Sequence, residues 1–170
     1  KSRSGGGPLI DLGVHVIDLV RYLTGNPKPV SVYGITYQKL FDRPGVESTK
    51  GYVSESRGSK DICNVEDLAA ALIRFENGMT LSVETSFSLN IKNDCGNIEL
   101  FGSKAGCRID PQVEIFTEMN NFMVDVGFAQ STSLSFDGLF KREIDHFVDC
   151  VLSGAPTRAP AADGVEIMRI

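Results

Sequence analysis

Hydrophobic residues occupy most positions between residues 8 and 23, a pattern that is typical of a helix with little polar surface. The segment reads PLIDLGVHVIDLVRYL. Pro8 suits the first turn of a helix, where its missing N–H needs no partner. Gly25 suits the left-handed position that follows a last turn. Because the apolar side chains spread around most of the circumference, we expect this helix to be buried.

Four polar residues of this segment fall on one side of the predicted helix. At about 100° of rotation per residue, Asp11, His15, Asp18 and Tyr22 form one stripe. A buried charge is costly unless it is paired or used, so the stripe should face water, a polar partner or a ligand cavity. Gly5-Gly6-Gly7, just before the helix, would allow close approach of another segment or a ligand.

The stripe has two interpretations. In the first, Asp11 and His15 pair with each other and serve the structure, with Asp18 near the surface. In the second they form a catalytic edge, since histidine titrates near neutral pH and can transfer a proton. A neighbouring carboxylate would then orient the histidine or bind a substrate hydroxyl.

Alternating positions predict strands in the first half of the chain. Residues 29–37 are rich in β-branched and aromatic side chains and indicate a strand. Residues 80–90 alternate between apolar and polar, and Glu76-Asn77-Gly78 before them is a strong hairpin signal. A hairpin needs two strands, so we predict that residues 67–75 (DLAAALIRF) form the partner strand in spite of three consecutive alanines.

The second half of the chain predicts more strands followed by helices. NIELFG and GCRID indicate a hairpin, and QVEIFTE and NFMVDVGF two further strands. Apolar residues from Phe140 to Val151 repeat at helical spacing up to Gly154, and a short helix is expected after Asp163, up to Ile170. Residues 41–62 are polar and predict a long loop. This order predicts an α+β fold whose predominantly antiparallel open sheet packs against helices.

Length, charge and cysteine content narrow the class of protein. The 170 residues suit a single domain over 1–170, and a net charge of −5 without a basic patch argues against nucleic acid as a partner. No apolar run approaches the roughly 18 residues of a membrane span, and the start of the chain lacks the apolar core of a signal peptide. Four cysteines without CxxC spacing favour reduced thiols in a cytoplasmic protein.

Two other kinds of site receive little support from the sequence. Glu143 and His146 form an ExxH pair that could join Asp11 and His15 in a metal site. With only two histidines in the chain and scattered thiols, we predict no metal site and a structural role for His146, beside Phe147 in the helix packing. No GxSxG motif is present to support a catalytic serine.

The stretch GGPLIDLGVHVIDLVRYLTG resembles the signature that opens the second domain of the Gfo/Idh/MocA family of NAD(P)-dependent oxidoreductases. In that signature a glycine pair is followed by Asp, three residues, His, two residues, Asp, and a glycine after the helix, and all of these are present here. The resemblance extends over most of the chain. Similar blocks are EDLAAALIRFENGMTLSVETSFS, GNIELFGSKAGCRIDP and FKREIDHFVDCVLSGAPTRAPAADGVEIMRI.

The resemblance implies which part of such an enzyme this chain is. The family's Rossmann domain, with its Gly-rich loop and Glu-Lys-Pro lysine, has no counterpart here, and GGGPLI is not a GxGxxG motif. We therefore expect the C-terminal substrate and oligomerisation domain of a longer protein, inactive alone. NAD or NADP would be bound mainly by the absent N-terminal domain, with no cofactor-binding residue in this chain.

The resemblance also implies roles for the polar residues of the helix. A hydride would move between the nicotinamide and a carbon of a sugar, polyol or derivative. His15 would act as the acid/base, Asp11 would assist the proton transfer and bind substrate, and Asp18 would be a further substrate-binding residue.

The alternative function is a non-catalytic module that assembles subunits or binds a ligand through its sheet. One face of the 80–90 strand is small or polar and could meet a cleft or a second sheet with hydrogen bonds and water. Related enzymes associate through this sheet, so the resemblance implies a homo-oligomer with face-to-face contact. A nucleotide motif and a Glu-Lys-Pro motif upstream would favour the enzyme. The small or polar face of the 80–90 strand consists of Thr80, Ser82, Glu84, Ser86 and Ser88.

Overall fold

The computed structural model describes residues 5–40, 64–93, 95–109, 112–129 and 138–170. The predicted loop at 41–62 and Cys63 lie outside these ranges, whereas Cys95, Cys107 and Cys150 are free thiols. The described elements, in chain order, are a π turn (Leu9–Gly13), α1 (Val14–Leu23), β1 (Pro29–Tyr37), β2 (Leu68–Phe75), β3 (Thr80–Ser86), β4 (Glu99–Phe101), β5 (Ala105–Arg108), β6 (Glu114–Met119), β7 (Phe122–Gly127), α2 (Leu139–Ser153) and α3 (Ala161–Met168).

The elements confirm the predicted α+β class and its antiparallel pairing. They form two compact units, one made of Lys1–Ile91 with Ala161–Ile170 and the other of Lys92–Pro160. A unit defined by contacts is not by itself an autonomously folding domain, so one domain over 1–170 stays a prediction. The described strands are shared between two sheets, in the orders β1-β2-β3 and β4-β5-β6-β7. Every neighbouring pair is antiparallel.

The predicted hairpin after residue 75 joins β2 to β3. The Gly78 N–H donates to the Phe75 carbonyl at 3.0 Å, and Asn77 Oδ1 accepts the Met79 N–H at 3.0 Å. Gly78 has a φ of 86°, a left-handed conformation that favours glycine. The strand prediction for 67–75 is therefore confirmed. β3 ends at Ser86, four residues earlier than the alternating pattern suggested.

One face of the three-stranded sheet forms the core of the first unit. Ile17 of α1 packs there against Ile73, Phe75 and Val83. On the opposite side of α1 and the π turn, Ile10, Leu12 and Leu23 are 40%, 43% and 46% exposed. The prediction of a helix buried around most of its circumference is therefore wrong, because within the described residues the sheet covers only one side of it.

The other face of this sheet, called the outer face below, is more apolar than expected. The register sets Tyr33 opposite Leu72 and Leu72 opposite Ser82, and likewise aligns Ile35, Ala70 and Glu84. Thr80, Ser82 and Glu84 are exposed there as predicted, but Tyr33 and Leu72 are also 81% and 52% exposed. The alternation of residues 80–90 describes only the third strand, and the first two strands add the large apolar side chains.

A buried arginine connects α1 to its neighbours. The Arg21 side chain is 1% exposed. Its Nε donates to the Pro27 carbonyl at 3.1 Å and its Nη1 to the Asp163 carbonyl in α3 at 3.4 Å. α3 starts at Ala161 and includes Asp163, so it begins earlier than the predicted start after Asp163.

In the second unit, α2 ends as predicted at Gly154, which has a φ of 71°. Across β4, β5 and β6, Arg108 forms ion pairs with Glu99 at 2.8 Å and with Glu114 at 3.7 Å. The hydrogen bond and charge of Glu99 raise the pKa of the Arg108 guanidinium.

Throughout the ranges that the structure describes, no helix is both long enough and apolar enough to cross a membrane.

Candidate functional site

The helix that carries the polar stripe begins with a π turn. The Val14 N–H donates to the carbonyl of Leu9, five residues back, whereas the Asp11 N–H donates to the carbonyl of Gly7 at 3.1 Å. Single π turns inside helices are rare and occur frequently at functional sites. The prediction that Asp11 follows regular α-helical spacing is therefore wrong, because a π turn contains more residues than an α turn.

The third strand, β3, contacts the π turn through Thr85. Thr85 Oγ1 donates to the Pro8 carbonyl at 3.1 Å. Gly13 is buried, and a Cβ on this residue would lie 2.9 Å from Leu9 Cδ1 and 3.3 Å from Thr85 Cγ2. A larger residue at position 13 would therefore require the Leu9 side chain to move and would be in tight contact with Thr85 of the strand.

Glu66, just before β2, caps the start of the same turn. Its Oε1 accepts the Gly7 N–H at 3.1 Å and the Leu9 N–H at 3.4 Å, on either side of Pro8, which has no N–H. An acidic group is favourable at this end of a helix, and Pro8 itself provides no side-chain cap. A Cβ on Gly7 would lie 2.2 Å from the Glu66 carbonyl oxygen. At Gly7 this confirms the prediction that the glycines before the helix allow close approach of another segment, whereas a Cβ on Gly5 would meet no atom within 4 Å.

The polar stripe is on the exposed side of the helix. Asp11, His15 and Asp18 are exposed, as is Tyr22, whereas the buried side consists of Gly13, Ile17, Val20 and Arg21. No hydrogen bond or ion pair between Asp11 and His15 occurs in the described part of the chain. The structure thus gives no support to the first interpretation, a structural Asp11–His15 pair, and leaves both side chains accessible to a ligand.

Asp67, the residue after Glu66, forms hydrogen bonds at the end of the three-stranded sheet that is nearest the π turn. Its side chain is 1% exposed, and its Oδ2 accepts the backbone N–H groups of Lys39 and Leu40. Its carbonyl accepts the Ser86 hydroxyl at 2.5 Å, and its N–H donates to the Tyr37 carbonyl at 2.8 Å. Asp67 therefore joins the ends of all three strands beside the π turn.

Sequence reasoning missed Glu66, Asp67 and Thr85 as residues that support the site. The only available signal was a pair of adjacent carboxylates, Glu66 and Asp67, directly before an alternating apolar strand. Such a pair is usually a solvated strand end. Its contact with the π turn depends on residues that are 59 positions apart.

The histidine of the ExxH pair, in the second unit, has a local structural role. His146 Nε2 accepts the Arg158 N–H at 3.0 Å and lies 3.6 Å from Cys150 Sγ. His146 therefore holds the chain that follows α2, rather than acting through Phe147, which is 63% exposed. Within the described ranges, no group of three or more His, Cys, Asp or Glu side chains is arranged to hold a metal ion.

Sequence comparisons relate the whole chain to known oxidoreductases. The model of the oxidoreductase family described as "C-terminal alpha/beta domain" matches residues 1–170. D-glucoside 3-dehydrogenase of Escherichia coli K12 is 31% identical over 171 residues, which are 100% of this chain and 46% of that protein. Levoglucosan dehydrogenase of Pseudarthrobacter phenanthrenivorans is 34% identical over 107 residues, which are 61% of this chain and 27% of that protein. The chain spans less than half the length of these relatives.

Solved structures of similar fold cover nearly all of the chain. An oxidoreductase domain protein from Kribbella flavida matches with a TM-score of 0.75 and 22% identity, covering 98% of this chain and 48% of that one. A levoglucosan dehydrogenase in complex with NADH and L-sorbose matches with a TM-score of 0.71 and 20% identity, covering 96% and 45%. At these identities the likeness establishes the fold.

Proposed function

The chain belongs to the Gfo/Idh/MocA oxidoreductase family as its C-terminal α/β domain, and from this premise we propose that it is the substrate-binding part of an NAD(P)-dependent dehydrogenase. The proposed substrate is a sugar, a polyol or a derivative of one. The names of the two relatives, a glucoside dehydrogenase and a levoglucosan dehydrogenase, support this substrate class.

One observation carries this proposal. The polar stripe is exposed, while the buried side of the same helix and the π turn are held by the sheet through Ile17, Thr85 and Glu66. A site for a small polar substrate needs such a combination, because accessible groups bind productively only when a rigid element orients them.

The start of this helix does not suit the phosphates of a dinucleotide. Helix N-termini after glycines often bind phosphate, but here the N–H groups of Gly7 and Leu9 donate to the Glu66 carboxylate. A second anion would be repelled at that position. We therefore assign phosphate binding to an N-terminal nucleotide-binding domain of the longer protein. When bound, the nicotinamide accepts or donates the hydride.

The residues of the polar stripe would accept and return the proton of the reacting substrate hydroxyl. As the carbinol carbon of the substrate loses its hydride, the C–O bond becomes a carbonyl and the hydroxyl proton passes to His15. In the reverse direction His15 returns that proton to the carbonyl oxygen. Asp11 would orient the histidine or the reacting hydroxyl, and Asp18 would bind a further hydroxyl of the substrate.

Substitution of the two histidines tests the proposal. In the protein that combines this chain with its nucleotide-binding domain, we expect His15→Ala to lower kcat by about 10² or more, the scale of general acid–base catalysis. His146→Ala is the matched control, since His146 lies in the second unit and contacts the Arg158 backbone. A screen of sugars with NAD and with NADP provides the assay.

The remaining stripe residues separate the roles. Asp11→Asn should also impair turnover, and Asp18→Asn should have the smaller effect. Wild-type turnover in His15→Ala together with loss in Asp18→Asn would overturn the assignment. The 170-residue chain alone should not turn over cofactor, and turnover by it would contradict the proposed division between domains.

The outer face supports a proposal about assembly. Tyr33, Ile35 and Leu72 are exposed side by side on it, next to the polar Ser82 and Glu84. A patch of aromatic and aliphatic side chains with polar neighbours is typical of a protein interface. We propose that two copies of the chain associate face to face through this surface.

A further inference from the structure

The π turn that begins the helix of the polar stripe is stabilised by residues outside that helix. π turns are rare and occur mostly as single turns inside α-helices. Within the described residues, the side-chain hydrogen bonds at this turn come from Thr85, which bonds the Pro8 carbonyl, and from Glu66, which bonds two N–H groups. Glu66 is thus the acceptor for donors that would otherwise lack a partner in the first turn.

We propose that Glu66 is a positioning residue for the reaction, one that keeps the π turn formed and thereby fixes Asp11 relative to His15. This inference rests on the proposed function of those two residues. Glu66 does not touch the reacting atoms in this proposal, and it acts only through the backbone of Gly7 and Leu9.

The two residues would respond differently to loss of this contact. His15 lies on α1, which is fixed by Ile17 in the core, so it should stay in place. Asp11 lies within the π turn. If that turn relaxed to regular α geometry, the helical position of the residues before α1 would change by one residue. Asp11 would then rotate about the helix axis by about 100° relative to His15.

The contact of Glu66 with the N–H groups of Gly7 and Leu9 requires an oxygen acceptor at the end of a side chain of this length. Gln has an amide oxygen in place of Glu66 Oε1 and can accept the same two N–H groups. Ala removes the acceptor. Gly7 fits this arrangement, because a Cβ there would lie 2.6 Å from the Glu66 carboxyl carbon. The proposal therefore predicts that Gln, and not Ala, preserves the site.

Glu76 provides a matched control at the other end of β2. Its Oε1 accepts the Lys28 N–H at 3.0 Å, so it too is a glutamate that bonds the backbone of a distant segment. That contact is far along the strand from the π turn. Glu76→Ala should leave kcat unchanged.

The activity test uses the protein with its nucleotide-binding domain. Glu66→Ala should lower kcat by about 10-fold to 10²-fold, the scale for displacing a group at a reacting centre, with the KM for the cofactor unchanged. Glu66→Gln should restore kcat to near wild type. A wild-type kcat in Glu66→Ala would overturn the proposal, and so would a Gln variant as impaired as the Ala variant.

A second measurement does not depend on catalysis. Amide hydrogen exchange of the 170-residue chain should show the Leu9 N–H exchanging at least about tenfold faster in Glu66→Ala, as expected for loss of a hydrogen bond to a charged group. The Asp11 backbone resonances should shift, while those of His15 and Ile17 stay in place. Unchanged exchange at Leu9 would overturn the proposal even if activity fell.

The two measurements also separate this inference from the proposed function. If His15→Ala keeps full turnover, the proposed roles of His15 and Asp11 fail, and hydrogen exchange still decides whether Glu66 holds the π turn. If His15→Ala is inactive and Glu66→Ala is fully active, the proposed function stands and the positioning role of Glu66 fails.

Discussion

The two faces of the three-stranded sheet differ in what covers them. On the inner face, Ala69, Ile73 and Phe75 of β2 are nearly inaccessible, and Ile73, at 0% exposure, packs with Ile17 of α1. On the outer face, Leu72 of the same strand is 52% exposed. Neighbouring residues of similar hydrophobicity thus have opposite environments. Hydrophobicity alone did not decide which face the helix covers.

Side-chain size differs between the faces at the middle of β1, where glycine is on the inner side and larger residues are on the outer side. Gly34 and Ala71 are opposite each other on the inner side, and Ala71 is opposite Val83. Small side chains allow a helix to lie close to a sheet. The larger Tyr33 and Ile35 are on the outer side. Two of the three alanines of β2, Ala69 and Ala71, which favour a helix by propensity alone, are therefore explained as strand residues of the inner face, whereas Ala70 lies on the outer face opposite Ile35 and Glu84.

The sharpest test of this comparison uses adjacent residues of β2. Ile73→Ala should lower the free energy of unfolding by about 2–5 kcal/mol, because it opens a cavity in the core. Leu72→Ala should change it by less than about 1 kcal/mol, since the exposed side chain loses little packing. Urea denaturation of the chain, at protein concentrations too low for self-association, measures both. Equal losses would show that both faces are covered.

A smaller effect is expected where the helix that covers the inner face begins. Gly7→Ala should destabilise the chain by about 1–3 kcal/mol, because the added Cβ overlaps the Glu66 carbonyl oxygen. Gly164→Ala is the control of opposite sign. Gly164 lies in α3 with no atom within 4 Å of a Cβ, so alanine there should stabilise by about 0.5–1 kcal/mol. Thermal unfolding of both variants compares them, and a neutral Gly7→Ala would contradict the close contact.

The smallest effect on folding is expected from a charge on the outer face. Leu72→Arg should leave the unfolding free energy nearly unchanged but should shift the protein from dimer to monomer, because it introduces a like charge twice into a symmetric interface. Tyr22→Arg, at an exposed position of α1, should leave assembly unchanged. Sedimentation over a micromolar concentration series distinguishes the two. A wild-type chain that is monomeric throughout would refute the proposed interface.

Much of the secondary structure was predictable from short stretches of the chain. The hairpin at Glu76-Asn77-Gly78, the strand before it and the end of α2 at Gly154 all follow from local turn chemistry and spacing. Water was one of the three environments that polarity allowed for the stripe, and Asp11, His15 and Asp18 are exposed. Each of these features depends on residues within a few positions of one another.

Other features could not be predicted, because they depend on contacts between distant residues. The π turn forms where Glu66 and Thr85 contact residues 59 and 77 positions away, at Gly7 and Pro8. Propensity over Leu9–Gly13 alone favours a regular helix. The same holds for Asp67, whose carboxylate bonds the backbone after β1.

The sequence by itself determined which elements form, their antiparallel class and the family to which the chain belongs, since periodicity, turn residues and motif spacing are local properties. Only the tertiary structure decided which face of the sheet is buried and how the site helix begins. Both faces offer apolar side chains, and both an α and a π start satisfy the local backbone. The choice follows from the hydrogen bonds and packing that appear only when β2 and β3 lie beside the helix.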